Sequence, residues 1–141
     1  MKLSDALLST LAYHDIFDYP LTLEQLHKYL IGKKASLSHI KQSLKELEAQ
    51  KKVQRKNNLY YLKGRQNIYT KRIRRAKYSE KKLKRAKLYA QILRFVPTIK
   101  LIGISGSLAM QNSHSNDDID FFIVSSKKSL WTTRLISTLL L

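Results

Sequence analysis

From residue 66 to 95 the chain carries neither glycine nor proline, and no other property constrains its fold as much. Such an uninterrupted stretch reads as one long helix, closed by Pro97. Ile73, Ala76, Leu83, Ala86, Tyr89, Ile92 and Leu93 recur at intervals of three and four, giving an apolar seam that is strongest in the last third. Twelve Lys or Arg against the single acid Glu80 fall between Arg65 and Arg94, so the N-terminal half has too little apolar surface to be fully buried. The helix reads as a basic connector over 65–96 between two other parts of the chain. With a formal net charge of +17, this density favours a polyanion, nucleic acid or an acidic membrane surface, and a solvated helix face accounts for it equally well.

A chain of 141 residues, 43% of them hydrophobic, can build one ordinary domain or two small ones. No apolar run reaches 18 residues and no signal peptide opens the chain, so a cytoplasmic protein with no membrane partner is expected. The absence of cysteine excludes disulfides, thiolate zinc sites and cysteine nucleophiles, and the four histidines form no ligand spacing. Only oxygen and imidazole chemistry remains.

Before the long helix, Ser4 can cap a helix running to about Phe17, which Asp18-Tyr-Pro20 stops. Thr22 and Gln25 have the spacing of a capping box, and Gly32 can close that second helix in a left-handed conformation. A third helix, opened by Ser36 or Ser38 and ending near Gln50, would bury Ile40, Leu44 and Leu47 while Lys41, Lys45 and Lys51 stay outside. Two short alternating runs then flank Asn57-Asn58, the composition of a tight hairpin. Three helices and a hairpin over 1–64 resemble a winged helix with the third helix in the recognition position. In that arrangement Lys41 and Lys45, joined by Arg72, Arg74 and Arg75, are the candidate nucleic-acid contacts; a protein-docking or spacer role is the alternative.

The residues that carry chemistry follow Pro97. Ile99 to Ile104 is a compact β-branched run suited to a buried strand, and it ends at Ser105-Gly106-Ser107. Gly106 permits a tight turn and close backbone approach to a ligand, and Ser107 can cap a short helix and point its hydroxyl at a phosphate. Asn112 to Asn116 reads as a loop and Asp118 to Val124 as the next strand. Its period of two sets Asp118 and Asp120 on one face, with Ile119, Phe121 and Ile123 on the other. Two neighbouring carboxylates repel unless a cation sits between them, and magnesium, with its preference for oxygen ligands and substrate phosphates, suits the pair. Asp117, of opposite parity, reads as a loop acid or as a group supporting the ligands rather than a ligand itself. An acidic edge strand that discourages aggregation is the bland account of the same residues.

Gly106-Ser107, ten intervening residues, Asp118-Ile-Asp120 and the apolar Phe-Phe-Ile-Val tail together resemble the signature of the DNA polymerase beta-type nucleotidyltransferase superfamily, over about residues 99 to 125. With Tyr13-His-Asp-Ile-Phe-Asp-Tyr-Pro20 ahead of it and Trp131-Thr-Thr-Arg-Leu behind, the whole is similar to bacterial nucleotidyltransferase-domain proteins of undefined substrate. The resemblance implies an α+β chain whose 97–141 segment is an incomplete nucleotidyltransferase domain. It implies that Gly106 and Ser107 hold the triphosphate of a nucleotide such as ATP, and that Asp118 and Asp120 ligate Mg2+ as the catalytic pair. An acceptor would attack the α-phosphorus of the nucleoside triphosphate and expel pyrophosphate. Ala109-Met-Gln departs from the Ala-Arg-Gly of many minimal members and removes a phosphate-binding arginine. The superfamily's third carboxylate lies on a later strand that this chain stops short of, so a truncated or fragmentary domain is expected. The apolar helix from Ser129 to Leu141 would then pack on further sheet or on a partner chain, or self-associate. A nucleic-acid-binding regulator with a degenerate transferase module is the competing function.

Overall fold

The computed structural model describes residues 1–140, and the chain is α+β. Among the described residues there are six helices and two antiparallel two-stranded sheets. Two compact units divide the chain, Met1–Ile73 and Arg74–Leu141.

The first unit holds α1 (Leu3–Asp15), α2 (Leu23–Lys28), α3 (Leu37–Ala49) and a hairpin of β1 (Val53–Lys56) with β2 (Leu59–Leu62). Ser4 does not cap α1. The N-cap is Lys2, in extended conformation without a side-chain bond, because Leu3 is already helical and packs against the core. The helix ends at Asp15, two residues before Phe17, where the chain turns through Asp18 at φ 51 towards Pro20. The capping box of α2 is present: Gln25 N–H donates to Thr22 Oγ1 at 3.2 Å and Thr22 N–H to Gln25 Oε1 at 3.0 Å. Gly32 has the left-handed φ of 71, yet α2 stops earlier, with Tyr29 as its C-cap. Ser36 caps α3 by accepting from His39 N–H at 3.4 Å.

Ile40, Leu44 and Leu47 of α3 meet Leu7, Leu11, Leu21, Leu26 and Val53 in one core, while Lys41, Lys45 and Lys51 stay exposed. Each fully buried leucine contributes roughly 1.5–3 kcal/mol. Pairing of Val53 with Leu62 through Lys56 with Leu59 leaves Asn57 and Asn58 as the two-residue turn, with Asn57 at φ 53. Leu21 and Tyr60 exchange backbone bonds of 3.1 and 2.8 Å, which ties the α1–α2 connection to the hairpin. The corner at Asp18 is fixed by ions: Arg65 reaches Asp15 at 2.8 Å and Asp18 at 2.9 Å, and Lys71 reaches Asp18 at 2.7 Å. The bond to Asp15 holds the Arg65 guanidinium above its ordinary pKa.

Helix α4 (Asn67–Leu93) begins in the first unit, and from Arg74 onward it belongs to the second. There follow β3 (Ile99–Ile104), α5 (Gly106–Ala109), β4 (Phe121–Ser125) and α6 (Leu130–Leu140); β3 and β4 pair antiparallel. The second unit departs from the sequence expectation in three respects. The hydrogen-bonded strand starts at Phe121 rather than Asp118, because its partner β3 ends at Ile104 and the chain then turns away through Gly106 at φ 65. Strand β3 is not buried: Leu101 is 50% exposed, and Phe122 and Val124 across from it are exposed as well. On α4 the expected seam is only partly buried: from Arg74 onward Ala86 and Leu93 are inside together with Arg75 and Ser79, whereas Tyr89 and Ile92 are exposed, as is Ile73 just before them in the first unit. The polar members Arg75 and Ser79 are buried because a loop of the second unit supplies their partners, Asn112 and Ser113.

Helix α6 inverts the usual amphipathic arrangement. Thr133 and Ser137 are buried, with Thr133 Oγ1 2.7 Å from Thr98 Oγ1, whereas Leu130, Trp131, Leu135 and Leu139 are exposed. A groove of about 540 Å3 runs between Phe121 and Ile123 of β4 and Leu130 and Arg134 of α6. Leu141, the last residue of the expected helix, lies outside the described residues. No described helix is long and apolar enough to cross a membrane.

Candidate functional site

The site is built where β3 turns into α5 and where the chain returns towards β4. Ser105 is extended, and its N–H donates to Asp120 O at 3.0 Å, carrying the sheet pairing one step past the last ladder pair, Ile104 with Phe121. Gly106 follows with φ 65, a conformation that costs side-chain-bearing residues about 1–2 kcal/mol. A Cβ on Gly106 would stand 2.6 Å from Asp120 Oδ2, so the Asp120 carboxylate lies directly over the glycine. Only a residue without a side chain admits that approach. Gly106 and Asp120, distant in sequence, are thus brought together.

Exposure alternates without a break from Asp118 to Ser125: Asp118, Asp120, Phe122 and Val124 are exposed, and Ile119, Phe121, Ile123 and Ser125 are half-buried. The period-two pattern therefore begins at Asp118 although ladder bonding begins three residues later, and both acids fall on the exposed side. Carboxylate oxygens are hard donors of the kind magnesium prefers; of the two exposed acids, Asp120 lies over the exposed glycine turn. Among the described residues, no three His, Asp or Glu side chains gather as a metal cluster. Metal binding here would draw its remaining ligands from phosphate and water.

Ser107 is placed differently from its expected role. Its hydroxyl donates to Asp117 Oδ2 at 3.0 Å instead of being directed to a ligand. The same oxygen accepts from Ser113 Oγ at 3.3 Å and from His114 N–H at 2.8 Å. Asp117 is the loop acid its parity suggested, and it organises the 113–117 turn. The His114 backbone bond above all, helped by the Ser107 hydroxyl and the charges of His114 and Lys82, holds its carboxyl below the ordinary aspartate pKa against the opposing effect of burial.

Sequence reasoning missed the residues that hold this loop in place. Lys82 Nζ donates to Ser113 Oγ at 3.0 Å and to the carbonyls of His114 and Asp117. Ser79, fully buried, accepts Ser113 N–H at 3.1 Å, and Arg75 donates to Asn112 Oδ1 at 3.2 Å. Arg75, Ser79 and Lys82 are spaced four and three apart, so they share one face of α4. That spacing was visible in the sequence, but it was polar, and a search for apolar periodicity passes over it.

The five candidate nucleic-acid residues scatter. Lys41 and Lys45 are exposed on α3, and Arg74 is exposed on α4. Arg72 and Arg75 are only 9% and 7% exposed, their guanidinium groups engaged inside the fold. Arg72 stacks 4.2 Å from the Tyr19 ring centroid and donates to Tyr19 Oη at 3.0 Å, while burial pulls its pKa below the usual arginine value. A flat cation over an aromatic ring is stable in the interior, which accounts for the buried Arg72, while Arg75 is buried with its bond to Asn112 Oδ1.

No family model matches this chain, and neither a curated protein nor a solved structure shows significant similarity to it.

Proposed function

We propose that the second unit binds a magnesium nucleoside triphosphate and belongs to a nucleotidyltransferase of the DNA polymerase beta type, behind a winged-helix-like first unit. The observation that carries this reading is the Asp120 carboxylate standing over Gly106 at the left-handed turn that ends β3. Asp118 and Asp120 would hold the ion, and the Gly106-Ser107 backbone would receive the polyphosphate. Ser107 contributes through its backbone, since its hydroxyl serves Asp117. When bound, magnesium supplies positive charge that neutralises the phosphate oxygens. In the proposed reaction an acceptor group takes the nucleotidyl unit and pyrophosphate leaves.

Calorimetric titration of ATP and the other nucleoside triphosphates, with and without magnesium, tests the reading. Binding should require the ion and fall at least tenfold in Asp118→Asn and in Asp120→Asn, a loss of about 1.4 kcal/mol each. Binding indifferent to both metal and substitutions would exclude it.

A further inference from the structure

Helix α4 presents two opposed faces within the second unit. One carries Arg75, Ser79, Lys82 and Ala86 and is turned to the 112–117 loop by the bonds of Arg75, Ser79 and Lys82. At 100° per residue, Arg74, Lys77, Lys81 and Arg85 fall roughly 90–170° around the helix from that face. All four are exposed. The loop clamp therefore fixes which way these cations point, and they point away from the 112–117 loop.

We propose that the row Arg74, Lys77, Lys81 and Arg85 binds the phosphate backbone of a nucleic acid strand. Its members are three, four and four residues apart, so the row spans about 16 Å of helix at about 1.5 Å per residue. A nucleic acid strand presents a phosphate every ~3.4 Å along the duplex axis, hence about five over that length. Four cations against about five phosphates is a commensurate match. The one acid in this stretch, Glu80, pairs with Lys84 at 3.5 Å rather than with a member of the row. An interfacial membrane helix sets its cations beside an apolar face. Here the cations occupy the middle of the exposed face, and the exposed Leu88 and Ile92 follow the row along the helix. Contacts of this kind position a strand without reading its bases, so sequence preference is not expected from the row. The inference stands independently of the nucleotide site.

Fluorescence anisotropy of the full chain with a labelled 20-nucleotide single strand and the matching duplex, over 50–200 mM KCl, provides the test. The wild type should bind with a steep salt dependence. In R74Q/K77Q/K81Q/R85Q the slope of log K against log salt should fall by about 3–4, from ~0.7–0.9 per lost phosphate contact. Over this salt range the wild type then loses about 100-fold more affinity than the variant. The control K33Q/K34Q/K52Q/K63Q removes the same charge from exposed lysines of the first unit and should change the slope by less than about 1. K77R/K81R, which keeps the charge, should bind as the wild type. Equal losses in row and control variants would reduce the effect to net charge and overturn the proposal. So would absence of binding at 50 mM salt, or preference for phosphatidylserine vesicles over the oligonucleotides.

Discussion

Replacing Gly106 with alanine separates two consequences of one backbone turn. The first is conformational: at φ 65 an alanine is strained by about 1–2 kcal/mol relative to glycine. The second is steric, since the new Cβ would lie 2.6 Å from Asp120 Oδ2 and 3.6 Å from its Cγ. An ordinary contact is about 3.5–4.0 Å, so the carboxylate must swing away by about an ångström. Asp120 is exposed and can swing, which makes the steric consequence cheap for folding and expensive for a ligand site. Urea-dependent hydrogen exchange of peptides covering residues 99–125 should thus show about 1–2 kcal/mol lost in G106A, and the same loss when the substitution is made in D120A. Magnesium-nucleotide affinity should behave otherwise: a loss of tenfold or more in G106A, with no additional loss when G106A is added to D120A. Equal affinity of G106A and wild type, or a stability cost that vanishes in the D120A background, would refute the reasoning.

Loss of the Lys82 ammonium in K82M should speed hydrogen exchange across 113–117 and weaken nucleotide binding with little effect on exchange in the first unit, both read by mass spectrometry and calorimetry. The Asp117 carboxyl is held below its ordinary pKa, so its contribution to the loop is complete above the unfolded value of about 3.9 and is lost as pH falls through the lower folded value. An NMR titration of the His114 amide should show a midpoint below about 3.9, and D117N should abolish the transition. In the first unit, L44A removes a side chain that is 1% exposed and should cost about 2–5 kcal/mol in denaturant unfolding followed by circular dichroism.

What could be read in advance was local. The Thr22 and Gln25 capping box, the Ser36 cap and the Asn57-Asn58 turn depend on residues a few positions apart, and each is where its spacing placed it. The extent of α4 was legible for the same reason, because continuity needs only the absence of glycine and proline. Its buried face was not legible. Arg75, Ser79 and Lys82 are partnered by residues 31 to 37 positions away in sequence, and periodicity carries no information about such partners. The parity of Asp118 and Asp120 could be read from alternation, yet the start of the ladder could not, because it is set by where β3 stops. Ser107 illustrates the limit at the site itself: its hydroxyl was expected to meet a phosphate, and an aspartate ten residues later takes it. The cation row emerged only once the clamp had fixed the rotation of α4.

The central claim is that a divalent ion joins Asp118 and Asp120 to a polyphosphate at the Gly106 turn. Manganese, which substitutes for magnesium in oxygen sites, broadens the NMR signals of nearby nuclei. Titrated into isotopically labelled protein with a nucleoside triphosphate present, it should broaden the amides of 105–107 and 118–120 first and leave those of α3 sharp. Broadening that spares these two segments, or that is the same with and without the nucleotide, would contradict the account.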